Sequence, residues 1–290
     1  MAFNLQTFKT RAITAILFAV VMLLGLLWNK WSLILLFSAI NFGCWWEYFI
    51  LVEKVNSVKI ADSLKYLFLV MSALVLYCAA WPHDSFDVYF TISGDEINWK
   101  YFLLAFLLLL IIIYTLLFNR IPANARWMSL AGFVYITMPC VLMIDLRTYF
   151  SLRNMEVSLE VIPCGIIFSI WINDTMAYIV GSLIGKTPFS KISAKKTWEG
   201  TIGGAVLCVG VIALLGWWSK LYTVQHWIWI ASICAIFGTL GDLLESKLKR
   251  MAGVKDSGAI LPGHGGFLDR FDSFLLATPV VWLYVYFFIR

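Results

Sequence analysis

Residues Phe102 to Phe118 read FLLAFLLLLIIIYTLLF, with no charged side chain, no glycine and no proline. A helix of that length is long enough to cross the roughly 30 Å hydrocarbon layer of a bilayer. Eight more apolar stretches lie on either side of it, giving candidate spans at 12–28, 31–52, 64–81, 101–118, 127–145, 161–185, 202–218, 226–245 and 274–289. The expected architecture is therefore all-α, a polytopic transmembrane helical bundle of about nine spans. Only helices satisfy every backbone group within a single apolar segment.

Composition agrees. The 290 residues are 61% hydrophobic and 13% charged, against about 25% charged in a soluble domain. The net charge of +5 reads as membrane topology and not as nucleic-acid binding. With the N-terminus cytoplasmic, the inside segments hold sixteen of the 22 basic residues, among them Lys9, Arg11, Lys186, Lys191, Lys195, Lys196, Lys247, Lys249, Arg250 and Lys255. The acidic loop with Asp84, Asp87, Asp95 and Glu96 falls outside. The run 12–28 is longer than a signal-peptide core and lacks a small-x-small cleavage site, so it is expected to be a retained first span. Tryptophans near span ends, including Trp28, Trp31, Trp217, Trp218 and Trp227, are expected to anchor the chain at the headgroups. Six scattered cysteines without paired spacing read as small buried hydrophobes.

The chain divides at about residue 160. The N-terminal helices, 1–160, carry little polar chemistry. Glu47, next to Trp45 and Trp46, is expected to snorkel to the interface. The region 161–290 carries the chemistry. Asp174 sits in mid-span, where a carboxylate costs about 2.5–3.5 kcal/mol even on lenient scales, so it is expected to face a polar cavity. Ala177, Gly181 and Gly185 on the same helix form a small-residue stripe suited to close packing. The segment Lys186–Gly200 holds four lysines with Ser193, which suits either anionic headgroups or a bound phosphate. Asp242, Glu245, Ser246 and Lys249 share one helix face. They lead to Lys255, to a glycine-rich turn at Gly263, His264, Gly265 and Gly266, and to Asp269, Arg270 and Asp272. Such backbone can turn several N–H groups on one anion. Two carboxylates three residues apart suit a hard divalent cation. An ion path lined by Asp174 and Asp242 is the competing possibility. An alcohol phosphotransferase would need the motif D-x-x-D-G-x-x-A-R, which does not occur here.

The stretch Ser246–Asp272, S-K-L-K-R-M-A-G-V-K-D-S-G-A-I-L-P-G-H-G-G-F-L-D-R-F-D, resembles the signature of the phosphatidate cytidylyltransferases, or CDP-diacylglycerol synthases. Asn173-Asp174-Thr175-x-Ala177-Tyr178, Lys195-Lys196-Thr197-x-Glu199-Gly200 and Gly241-Asp242-x-x-Glu245-Ser246 agree with it. Ala194 departs from the proline that often stands there. The resemblance implies transfer of CMP from CTP to phosphatidic acid, yielding CDP-diacylglycerol and pyrophosphate, by a multi-pass protein of the cell (inner) membrane. On the same footing, Asp242, Lys249, Arg250, Asp269 and Asp272 are expected to be catalytic. Ser193, Lys195, Lys196, Ser246, Lys255, His264, Gly265, Gly266 and Arg270 are expected to bind substrate. Asp174, Asp242, Asp269 and Asp272 are expected to hold Mg2+ or another divalent metal, with a second cation allowed for. The resemblance also suggests a homodimer.

Overall fold

The structure is a computed structural model that describes residues 5–80, 89–92, 95–98, 109, 112–113, 121–148, 161–190, 192–193, 196–258 and 265–289. Its helices are α1 (Leu5–Leu27), α2 (Lys30–Asn56), α3 (Asp62–Ala80), α4 (Ala123–Gly132), α5 (Met138–Thr148), α6 (Val161–Ile184), α7 (Trp198–Ser219), α8 (Val224–Met251) and α9 (Leu268–Phe288). A π-helical turn, Phe133–Thr137, joins α4 to α5 without a break. Among the described residues, seven helical segments are long and apolar enough to span a membrane, and α1 adds a shorter apolar stretch, Ile13–Leu27. Most of the candidate span at 101–118 lies outside the described residues. One departure from an all-helical chain is a short antiparallel hairpin, β1 (Tyr89–Ile92) with β2 (Asp95–Asn98), inside the segment expected to be an acidic loop.

Several helices run beyond the apolar stretches that announce them. Hydropathy ends where charges begin, but the i→i−4 ladder continues as long as side chains find polar partners. Thus α8 reaches Met251 and α9 starts at Leu268. Lys249, Asp269 and Asp272 stand on helix as a result. Helix starts are fixed by side chains. Asn29 and Ser32 form a reciprocal capping box on α2, at 2.8 and 3.0 Å. Thr197 Oγ1 accepts the Gly200 N–H at the start of α7, a cap worth about 1 kcal/mol.

Trp45 of α2 centres the packing of the N-terminal half. It is fully buried, with ring centroids 5.1 Å from Phe49 and Phe133 and 5.6 Å from Phe68. Its Nε1 donates to Thr137 Oγ1 at 2.9 Å, in the π-helical turn. Trp28, Trp31, Trp217 and Trp218 are exposed on the bundle surface, as interfacial anchors require, whereas Trp227 is buried and wedged against Gly165 and Gly216. Five of the six cysteines are buried.

Glycines let α6 to α9 meet at backbone distance. A Cβ on Gly204 would lie 2.6 Å from the Ala177 amide nitrogen, so the expected stripe of Ala177, Gly181 and Gly185 packs α6 on α7. A Cβ on Gly241 would collide with the Asp272 carbonyl oxygen, which sets α8 against α9 at the level of their carboxylates. Gly210 faces open space. Gly241→Ala is expected to cost about 1–3 kcal/mol through overpacking, and Gly210→Ala to stay within about 1 kcal/mol of the parent. Thermal unfolding in detergent measures both.

Candidate active site

The site lies at one end of the bundle, where the α6–α7 connection, the last turns of α8 and the first turns of α9 converge. Helical geometry does the first part of the work. Asp242, Glu245, Ser246 and Lys249 repeat every three or four residues on α8, so they line one face. Asp269 and Asp272 do the same on the opening turn of α9.

Tertiary packing does the rest. Carboxylate oxygens of Asp242, Glu245 and Asp272 lie within 4.8 Å of one another. Asp272 is nearly buried and Glu245 completely so. Glu245 Oε2 is paired with Lys249 Nζ at 2.6 Å, and Oε1 has no hydrogen-bond partner among the described residues. A buried charged oxygen left without a donor is costly. Three hard oxygen donors this close fit a divalent cation, which keeps further positions for water or phosphate. Ser246 Oγ donates to Asp242 Oδ1 at 3.2 Å, steadying one member of the set.

Asp269 is held differently. Lys249 Nζ meets its Oδ1 at 2.6 Å. Its Oδ2 accepts the N–H groups of Gly266 at 2.8 Å and Ser257 at 3.0 Å. Gly265 adopts φ +80, where a Cβ would also press on Asp269 Oδ2 at 2.7 Å. That position suits glycine on both counts.

The α6–α7 connection is a closed loop. Pro188 and Thr197 form an antiparallel bridge, Phe189 N–H donates to Lys196 C=O at 2.8 Å, and the Phe189 and Trp198 rings meet tilted at 60° with centroids 4.5 Å apart. Glu199 accepts the N–H groups of Lys186 and Thr187 and the Thr187 hydroxyl. The loop so folded delivers the Lys196 ammonium onto Asp242 in an ion pair. Ser193 is half-buried, and its carbonyl accepts the Lys196 N–H.

A cavity of about 370 Å3 opens beside these groups, lined by Asn173, Asp174, Tyr178, Ser182, Lys196, Thr197, Thr201, Thr239 and Asp242 together with Ala177 and Gly181. A second, of about 380 Å3, is lined by Thr14, Ala15, Phe18 and Ala19 of α1 with Trp171, Asp174, Thr175 and Arg270. Asp174 borders both.

Of the residues singled out from the sequence, Asp174, Lys196 and Asp242 share the first cavity, and Asp272 joins Asp242 in the carboxylate trio. Ser246 and Lys249 bond directly to that trio, Asp269 joins it through Lys249, and Gly265 and Gly266 lie against Asp269. Arg250 and Lys255 are exposed, Arg250 donating to the Val254 carbonyl at 3.1 Å. Lys195 and His264 lie outside the described residues. Two carboxylates were not among the expected site residues. Glu245 was legible, three residues after Asp242 on the same helix face. Glu47 does not snorkel. It is 1% exposed and accepts hydrogen bonds from Ser257 Oγ at 2.7 Å and from the N–H groups of Phe267 and Leu268 at 2.9 Å. Those partners, more than 200 residues away, hold it inside; its one local signal was a carboxylate within an apolar run.

The sequence profile described as the cytidylyltransferase family matches residues 9–288. The phosphatidate cytidylyltransferase of Staphylococcus haemolyticus (strain JCSC1435) is 47% identical over 115 residues, 39% of this chain and 44% of that protein. That of Staphylococcus aureus (strain COL) is 46% identical over the same length and shares. Phosphatidate cytidylyltransferase 4, chloroplastic, of Arabidopsis thaliana is 42% identical over 116 residues, 39% of this chain and 29% of that protein. The chain thus spans less than half the length of the curated relatives it matches.

Lys249 is the counter-charge for both Glu245 and Asp269. Lys249→Met is expected to destabilise the protein by about 3–5 kcal/mol, the cost of stranding a buried carboxylate, and Glu245→Gln in the same chain to recover part of that loss. Thermal unfolding of the single and double variants tests it.

Proposed function

The chain belongs to the cytidylyltransferase family, and from that membership we propose that it is a phosphatidate cytidylyltransferase, moving CMP from CTP to phosphatidic acid and releasing pyrophosphate. The observation that carries this reading is the trio Asp242, Glu245 and Asp272 beside a cavity that Lys196 enters. The relatives' names point to the same substrates.

The chemistry brings polyanions together. A phosphate monoester, with a second pKa of about 6, is largely ionised near neutrality, so the lipid phosphate needs no strong base to act as a nucleophile. One of its oxygens bonds to the α-phosphorus of CTP. The bond from that phosphorus to the oxygen bridging to the β-phosphate breaks, and pyrophosphate leaves with the electron pair. A divalent cation, Mg2+ by this reading, held by Asp242, Glu245 and Asp272, would neutralise the phosphate oxygens. Asp174 borders the same cavity and would assist. Lys196 supplies positive charge from the opposite wall, and the hydroxyls of Thr197 and Thr201 are donors within reach of a triphosphate. Ser193, Lys195 and His264 add donors from the two loops in the same scheme. Asp269, Lys249 and the amides of Ser257 and Gly266 tie Ser257 and the residues ahead of α9 to the end of α8. Arg250 and Lys255 raise the positive potential at the entrance.

The second cavity suits the lipid. Phe18, Ala15, Ala19 and Trp171 offer apolar walls to acyl chains, and Arg270 offers a guanidinium to the phosphate. Asp174, shared by the two cavities, marks where the substrates meet. The cytoplasmic N-terminus, the cell-membrane location, entry of CTP from the cytoplasm and the homodimer belong to the same proposal.

Purified protein supplied with phosphatidic acid, radiolabelled CTP and Mg2+ is expected to yield lipid-extractable label. Chelation of divalent metal should abolish it. Asp242→Asn and Glu245→Gln should each lower the rate on the order of 100-fold or more. No label from the wild type, with lipid and detergent varied, would overturn the reading.

A further inference from the structure

Glu47 stands apart from the groups that face the cavities, yet among the described residues it is the most buried carboxylate outside the trio. It belongs to α2, in the half of the chain that otherwise contributes the α1 wall of the second cavity. Its two oxygens divide three donors: Oε1 accepts the Phe267 N–H, and Oε2 accepts the Leu268 N–H and the Ser257 hydroxyl. Ser257 and Phe267 are the two feet of the glycine-rich segment, so one carboxylate ties both feet together. Space has been cleared for it. A Cβ on Gly258 or on Gly266 would collide with the Glu47 carboxylate, while Gly43, one turn earlier on α2, lies against the Phe267 ring at 2.5 Å from a Cβ placed there. The negative charge also sits at the N-terminus of α9, where free N–H groups favour it.

The same two feet are joined a second time by Asp269, through Ser257 N–H and Gly266 N–H. Asp269 is bound to Lys249, and Lys249 to Glu245 of the carboxylate trio. A continuous chain of short polar contacts therefore runs from Glu47 to the proposed metal ligands.

We infer that Glu47 is a positioning residue, a buried clamp by which the N-terminal helices fix the two ends of the glycine-rich segment, Ser257 and Phe267, and, through Asp269 and Lys249, the carboxylate trio. For its effect on turnover this inference rests on the cytidylyltransferase reading; for its effect on the segment it does not.

Glutamine at this position keeps the shape and breaks the logic. Whichever way the amide is turned, an NH2 replaces an acceptor and faces an N–H donor. Hydrogen exchange on the full chain in detergent is compared for wild type, Glu47→Gln and Ser257→Ala. Asn41→Ala serves as a control, because it removes another buried bond of α2, to Ser72 Oγ of α3 at 2.9 Å. Glu47→Gln is expected to speed exchange at the 267 and 268 amides about tenfold or more, the loss of a charged hydrogen bond. It should also lower kcat about tenfold or more, with KM for CTP within about threefold of wild type. Ser257→Ala, which deletes one hydroxyl, should shift both in the same direction by less, and it serves alone if Glu47→Gln does not fold. Asn41→Ala should lower thermal stability without either change. Unaltered exchange at 267 and 268 in both variants, or a loss of kcat no larger than that of Asn41→Ala, would overturn the inference. A wild type that transfers no CMP would sink the proposed function and leave the exchange experiment to judge Glu47.

Discussion

Lys249 places one ammonium 2.6 Å from Glu245 and 2.6 Å from Asp269. Around it, Asp242, Glu245, Asp269 and Asp272 occupy the last turns of α8 and the first turns of α9, helices that are otherwise apolar. Buried charge is tolerated only when it is paired and hydrogen-bonded, and this lysine, with Lys196 on Asp242, supplies the pairing. The arrangement of α8 against α9 depends on that balance. So does the ability of the site to hold negative groups close enough to share a cation.

Close approach is the second requirement, and glycine meets it. Gly241 lets α9 lie against α8 so that Asp272 reaches Asp242 and Glu245. Gly200 and Gly204 let α7 lie against α6, bringing the capped start of α7 and its loop beside Asp174. In a membrane the driving force for helix association is packing and polar contact, not the exclusion of water from apolar surface. Small residues and satisfied carboxylates therefore serve one end: the first permits the geometry that the second requires.

The N-terminal half enters this scheme at two places. Residues of α1 wall the cavity that contains Arg270, and Glu47 of α2 bonds to the start of α9. Both link the apolar helices to the polar end of the bundle. The buried Arg147 side chain does comparable work elsewhere, donating to the Leu26 carbonyl at the last turn of α1, where a positive charge is favourable.

Local properties of the chain were enough to determine the helical membrane architecture, because the cost of placing backbone and charge in lipid is felt segment by segment. Spacing along a single helix likewise placed Asp242, Glu245, Ser246 and Lys249 on one face, and Asp269 with Asp272 on another, since the 3.6-residue repeat is a property of the helix itself. Where helices ended was less legible. α8 and α9 continue past their apolar stretches because distant partners satisfy their charges. Which carboxylates gather was decided by tertiary structure alone. Asp269 turned toward Lys249 and two backbone amides, Glu245 toward Asp242 and Asp272, and Glu47 toward donors more than 200 residues away. A hydrogen bond between such remote positions leaves no periodicity in the chain, so only the packing of α2 against the start of α9 could make a lone carboxylate in an apolar run part of the site.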